Sequence, residues 1–134
     1  MSKLKNKVDN YKKSLAKLQD IINKYEFDKL DEYQRDSLIK RFELTFELSW
    51  NVLKEYLEFQ GETELYGSRN TFKIAFQRGI ISSGDIWLKM IESRVLSAHS
   101  YDESNAYEIA TRIYNDYIDL FNNLLKTIDK FELE

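Results

Sequence analysis

Cysteine and proline are absent from this 134-residue chain, glycine occurs four times and histidine once. Lack of cysteine rules out disulfides, zinc–thiolate sites and thiol nucleophiles. So few turn formers cannot serve the many tight turns of a β fold, whereas long helices need almost none. No apolar run approaches the roughly 20 residues of a bilayer-crossing helix. The opening Met1-Ser2-Lys3-Leu4-Lys5-Asn6-Lys7 has no apolar stretch behind it, unlike a signal peptide. A formal charge of -3 sets up no global field to attract nucleic acid, so any such contact must be local. The expectation is one soluble, cytoplasmic, all-helical domain over residues 1–134, with no membrane contact. Its aromatic share of 14% suits broad helix–helix packing.

What is present is helical periodicity. Leu4, Val8, Tyr11, Leu15, Leu18, Ile22 and Tyr25 step by fours and threes, which predicts a first helix over residues 2–25 with Ser2 as its cap. A connection follows at Glu26 to Lys29. The second and longest helix is predicted over 31–60, with Gly61 as its stop. From Leu38 onward it is apolar on more than one side, including Phe42, Leu44, Phe46, Leu48, Trp50 and Leu53. Such a helix needs two partners, one in its own bundle and one on another chain.

Ser68 is the candidate cap of a short third helix over 69–78, ended by Gly79. Ser82-Ser83-Gly84-Asp85 reads as the turn and cap before a fourth helix that ends near His99. Asp102 or Ser104 caps a fifth, whose apolar series runs Ala106, Ala110, Ile113, Tyr117, Leu120 or Phe121, Leu124, Ile128, Phe131. The predicted architecture is an up-and-down bundle of four long helices plus one short helix.

The single histidine lies in Glu92-Ser93-Arg94-Val95-Leu96-Ser97-Ala98-His99-Ser100-Tyr101-Asp102. Arg94 and His99 form an R-x-x-x-x-H spacing, weak by itself. Five helical positions turn the chain by about 500°, leaving the two side chains roughly 140° apart on one regular helix. Two arrangements bring them together: the helix ends at Ala98 and frees His99 at a corner, or two copies meet across a two-fold axis. Simpler roles stand beside these. His99 can cap a helix end, Arg94 can pair with Glu92, Asp102 or a carboxylate of the second helix, and Tyr101 can merely pack its ring. Glu43 and Glu47 share a helix face, but di-iron bundles need Glu-x-x-His and Leu96 stands three before His99, so no metal and no cofactor is expected.

The surrounding residues carry a more specific likeness. Phe42-Glu43-Leu44-Thr45-Phe46-Glu47-Leu48-Ser49-Trp50, then Gly61, Ala75-Phe76-Gln77-Arg78-Gly79-Ile80-Ile81, Trp87-Leu88-Lys89-Met90-Ile91-Glu92-Ser93-Arg94 and His99-Ser100-Tyr101-Asp102-Glu103 follow one another in a known order. Across residues 41–121 the chain resembles the HEPN superfamily, specifically the small nucleotidyltransferase substrate-binding proteins, with HepT-type toxins as close relatives. The resemblance implies a helical bundle that pairs as a homodimer and works with a separately encoded minimal nucleotidyltransferase. In the toxin branch the matching arginine and histidine form a metal-independent ribonuclease site. There the tyrosine two places after the histidine is where the partner adds AMP. Those positions are Arg94, His99 and Tyr101. Val95 departs from the pattern, because asparagine or another polar residue usually follows the arginine, and this weakens the expectation of nuclease activity.

The implied roles are chemically sound. Histidine can take the 2′-hydroxyl proton of RNA or protonate the leaving oxygen. Arginine grips phosphate with a planar fork. The hydroxyls of Ser93, Ser97 and Ser100 are candidate phosphate or nucleotide contacts, and Tyr101 is the candidate AMP acceptor. Two functions follow: a HEPN-type subunit that binds nucleotide or RNA phosphate at a dimer groove and acts as a ribonuclease toxin silenced at Tyr101, or a non-catalytic dimeric adaptor that presents substrate to the nucleotidyltransferase.

Overall fold

The computed structural model describes residues 2–131; the side chain of Ser2, the expected first cap, lies outside the described residues. Helix α1 spans Ser2–Lys24, α2 Glu32–Phe59, α3 Ser68–Gln77 and α4 Gly84–Leu96. Then α5 (Glu103–Arg112), a π-helical turn (Ile113–Tyr117) and α6 (Ile118–Ile128) run on as one rod. Cross-helix contacts give the directions. Lys7 meets Glu55, Ser14 meets Thr45 and Arg41 reaches the carbonyl of Lys17, so α1 and α2 are antiparallel. Lys12 with Asp129, Gln19 with Asn122 and Tyr25 with Tyr114 set α1 antiparallel to the last rod. With α4 antiparallel to α2, the result is an up-and-down bundle of four long rods, α3 being the short extra helix.

Local signals account for the punctuation. Asp31 caps α2 through a capping box with Gln34. Gly61 and Gly79, at φ +101 and +74, close α2 and α3 with paired 6→1 and 5→2 hydrogen bonds. The Asp102 side chain accepts from the N–H groups of Ser104 and Asn105 to start α5. Ser68 is the first residue of α3 rather than its cap; Gly67 holds the cap position, and Asn70 instead reaches back to the N–H of Tyr66. Ser83 caps α4 by position but in a left-handed conformation, with no side-chain bond to the helix.

The core follows the predicted stripes with one shift. Leu4, Val8, Tyr11, Leu15 and Leu18 are buried, but the last turn of α1 buries Ile21, leaving Ile22 half-covered and Tyr25 exposed. The chain turns away there, and Phe27 wedges edge-on against Tyr107 and Tyr114. The middle is aromatic: Trp87 lies against Phe72 and Phe121, and Phe42 stacks on Tyr117 at 5.6 Å. The π turn, in which the N–H of Ile118 bonds the carbonyl of Ile113, was not visible in the periodicity. It adds one residue to its turn, shifting the register of the side chains around it. Tyr117, its last residue, meets Ser93 of α4 at 2.6 Å and so braces α4 immediately beside Arg94.

Candidate functional site

Arg94 leaves the last turn of α4 towards α2. Its Nη1 donates to Glu43 Oε2 at 3.2 Å and to Ser97 Oγ at 3.1 Å. Its Nε lies 3.5 Å from Glu47 Oε1, close enough for charge pairing but too far for a hydrogen bond, so this buried N–H has no hydrogen-bond partner. Of the pairings open to Arg94, the one formed is with helix-two carboxylates. Glu43 and Glu47 are four apart and share a face of α2. Glu47 is held in turn by the indole N–H of Trp50 at 3.0 Å. The single Ser97 proton is shared between Glu43 Oε2 at 2.5 Å and the Arg94 carbonyl at 2.6 Å. The arginine charge is thus answered by two carboxylates within one chain.

Helix α4 tightens into a 3₁₀ turn, Ser97–His99, before the corner that leads to α5. The α-helical turns thus end at Leu96 rather than at the expected Ala98, and His99 closes the 3₁₀ turn. His99 and Tyr101 both stand exposed on this corner. Among the described residues no hydrogen bond joins Arg94 to His99; His99 Nδ1 instead meets Tyr101 Oη at 3.1 Å, with the rings edge to face at 5.8 Å. Tyr101 is 83% exposed, and the aromatic contact its ring makes is with His99. The corner is tied by the Asp102 N–H and the Asn105 amide, both donating to the His99 carbonyl at 3.2 Å.

The three serines have different surroundings. Ser93 is buried and occupied by Tyr117, and Ser97 is buried in the Arg94–Glu43 network. Ser100 is half-buried and lines a groove of about 410 Å³ between the first turns of α2 and the α5 entry, where Arg35 and Lys40 stand among the carboxylates of Glu32, Asp36, Glu43 and Glu103, with Tyr101 at its edge. Leu44, an exposed apolar residue of α2, shares a shallow recess with Arg94, and Val95 is exposed beside it in the chain. Glu43, Glu47, Arg35 and Lys40 are site neighbours that the R-x-x-x-x-H spacing does not mark; the i, i+4 carboxylates were the one available signal. Among the described residues no three His, Asp or Glu side chains cluster to hold a metal, and no helix is long and apolar enough to cross a membrane. A separate cleft of about 210 Å³ beneath Ile80 and Trp87 carries no titratable side chain.

Comparison with known proteins bears on the family and the fold. Residues 6–130 match the sequence family described as nucleotidyltransferase substrate binding protein like. Among solved structures, a Thermus thermophilus protein superposes with TM-score 0.80 at 28% identity, over 90% of this chain and 99% of that one. A Haemophilus influenzae protein, described as showing the fold of a substrate binding domain of a nucleotidyltransferase, gives 0.83 at 19% identity over 92% and 99%. A tri-AMPylated Shewanella oneidensis HEPN toxin in complex with an MNT antitoxin gives 0.73 at 21% identity over 96% and 97%. A search of curated proteins found no match.

Proposed function

The chain belongs to the nucleotidyltransferase substrate binding protein like family, and from that premise we propose that it is the single-domain HEPN-type subunit of a two-component system. Its partner is a separately encoded minimal nucleotidyltransferase, and Tyr101 receives AMP from it. The observation that carries this reading is the position of Tyr101: exposed on a tied corner, hydrogen-bonded to the only histidine, at the rim of a groove that Arg35 and Lys40 line together with Glu32, Asp36, Glu43 and Glu103. The related tri-AMPylated toxin adds support. Two copies pair through the face where Leu44 and Val95 flank Arg94, and the paired groove takes RNA or nucleotide phosphate. In that groove Arg94 steadies the phosphate, His99 moves the proton and Ser100 adds a hydroxyl. Ser97, and Ser93 through Tyr117, hold the arginine-bearing turn. Modification of Tyr101 then silences ribonuclease action.

A second reading has its own observation. Arg94 is already paired with Glu43 and Glu47, and Val95 supplies no polar group beside it. On this reading the bundle is a non-catalytic dimeric adaptor of the nucleotidyltransferase. Expression of the native chain and of His99→Ala decides between them. Slowed growth and RNA cleavage with the native chain alone support the ribonuclease. Equal growth and intact RNA in both eliminate it and leave the adaptor. Incubation with the partner enzyme and ATP should add an adenylyl group to Tyr101; sedimentation showing only monomers at micromolar concentration would remove the paired groove.

A further inference from the structure

A phenol is protonated at neutral pH, with an ordinary pKa of about 10, so a tyrosine that attacks an electrophile needs a base. The enzyme that delivers the electrophile is one place for that base. The geometry points to a different source: His99 is the base for Tyr101, so the chain carries its own activated acceptor. This rests on the reading of Tyr101 as a covalently modified residue, and specifies how that site works.

The hydroxyls of other tyrosines have different partners. Tyr11 donates to the Phe121 carbonyl and Tyr114 to the Tyr25 carbonyl. Tyr117 shares its bond with Ser93, and Tyr56 receives an amide N–H from Gln60. A carbonyl or a serine accepts a hydrogen bond but does not take the proton at neutral pH. Among the described residues, Tyr101 is the tyrosine whose hydroxyl meets a side chain able to do so, at 3.1 Å from His99 Nδ1. In the tautomer with the proton on Nε2, Nδ1 is a lone pair and the phenol must be the donor. The two residues are only two apart, and the bonds of Asp102 and Asn105 to the His99 carbonyl fix the backbone between them. Both side chains are exposed, so an electrophile reaches Oη without rearrangement.

The balanced step is as follows. Tyr101 Oη attacks the α-phosphorus of a nucleoside triphosphate held by the partner enzyme. An O–P bond forms, the bond from that phosphorus to the bridging oxygen of the β-phosphate breaks, and pyrophosphate leaves. The phenolic proton passes to His99 Nδ1 and then to water. No electron donor or acceptor is involved. From α2 the charged groups facing this groove are Glu32, Arg35, Asp36, Lys40 and Glu43, and from α5 Glu103, with Asp102 at its cap.

The test needs neither partner nor RNA. The full chain is treated with p-toluenesulfonyl fluoride, and sulfonylation of each tyrosine is followed by peptide mass spectrometry. Tyr33 and Tyr66 are each 82% exposed against 83% for Tyr101, so they serve as internal controls for access. Tyr101 should react about 100-fold faster than either at pH 7.5, the lower end of general-base effects. His99→Gln should abolish that advantage while the rates of Tyr33 and Tyr66 and the melting curve stay unchanged. Equal rates at the three tyrosines, or an advantage that survives His99→Gln, overturns the proposal. A reactive Tyr101 that the nucleotidyltransferase and ATP never label would sink the modification reading and leave the activated phenol standing. Efficient labelling without enhanced reactivity would do the reverse.

Discussion

Glu43 is the residue on which the arrangement of Arg94 depends, and a double-mutant cycle can measure that dependence. Its side chain is 20% exposed and that of Arg94 35%, so the pair is neither solvated nor deeply buried. Opposite unit charges about 4 Å apart attract by about 4 kcal/mol at an effective dielectric of about 20. Desolvation takes back much of this, and hydrogen bonds to charged groups typically leave about 1.5–3 kcal/mol net. Glu43→Gln keeps the shape and removes the charge, while Arg94 retains Glu47 at 3.5 Å. The expected cost is therefore about 1–2 kcal/mol, near the low end of that range. For a domain of this length it should lower the melting temperature by about 4–8 °C. Urea unfolding of the native chain, Glu43→Gln, Arg94→Gln and the double variant should give a coupling of about 1–2 kcal/mol. Additivity to within about 0.3–0.5 kcal/mol, the usual scatter for independent sites, would refute the claim that Glu43 holds Arg94 in solution.

The same Glu43→Gln change leaves Arg94 answered by one carboxylate instead of two, so binding of a short single-stranded RNA, read by fluorescence anisotropy, should tighten and should weaken again with added salt. Tyr117→Phe strands the buried Ser93 hydroxyl and should cost about 1–3 kcal/mol in urea unfolding, with little change in the denaturant slope. Burial pushes the Glu55 carboxyl up, but Lys7 at 3.0 Å and Lys3 at 3.7 Å outweigh it and hold the group below its ordinary value. Its contribution is thus complete above the unfolded carboxylate pKa and is lost as pH falls through the lowered folded value, and Glu55→Gln should flatten the acid limb of the urea midpoint against pH. Burial raises the phenols of Tyr11, Tyr114 and Tyr117, that of Tyr117 against the opposing bond from Ser93. Their stabilisation is present below the ordinary tyrosine pKa of about 10 and is lost as pH rises through the higher folded values. Alkaline titration followed by phenolate absorbance should show Tyr11 ionising together with unfolding.

Read from the amino acids alone, the helices and their ends are plain because their causes are local. Gly61 and Gly79 stop helices by adopting positive φ, Asp102 caps one through its own carboxylate, and stripes of apolar residues three and four apart need only a period to be recognised. Arg94, His99 and Tyr101 are singled out together only by the family resemblance, since the R-x-x-x-x-H spacing is weak by itself, and neither reading says which carboxylate answers the arginine. That choice was made by tertiary packing. Glu43 lies 51 residues from Arg94 along the chain and meets it only because α2 and α4 run antiparallel in contact. Nor does any pattern of side chains announce the π turn. It ends on Tyr117, whose hydroxyl meets Ser93 of α4, a contact between residues 24 apart in sequence. Local preferences determine where helices begin and end; which polar groups neutralise one another is decided by the rods lying side by side, because charges and hydrogen bonds act over a few ångströms of space irrespective of separation in sequence.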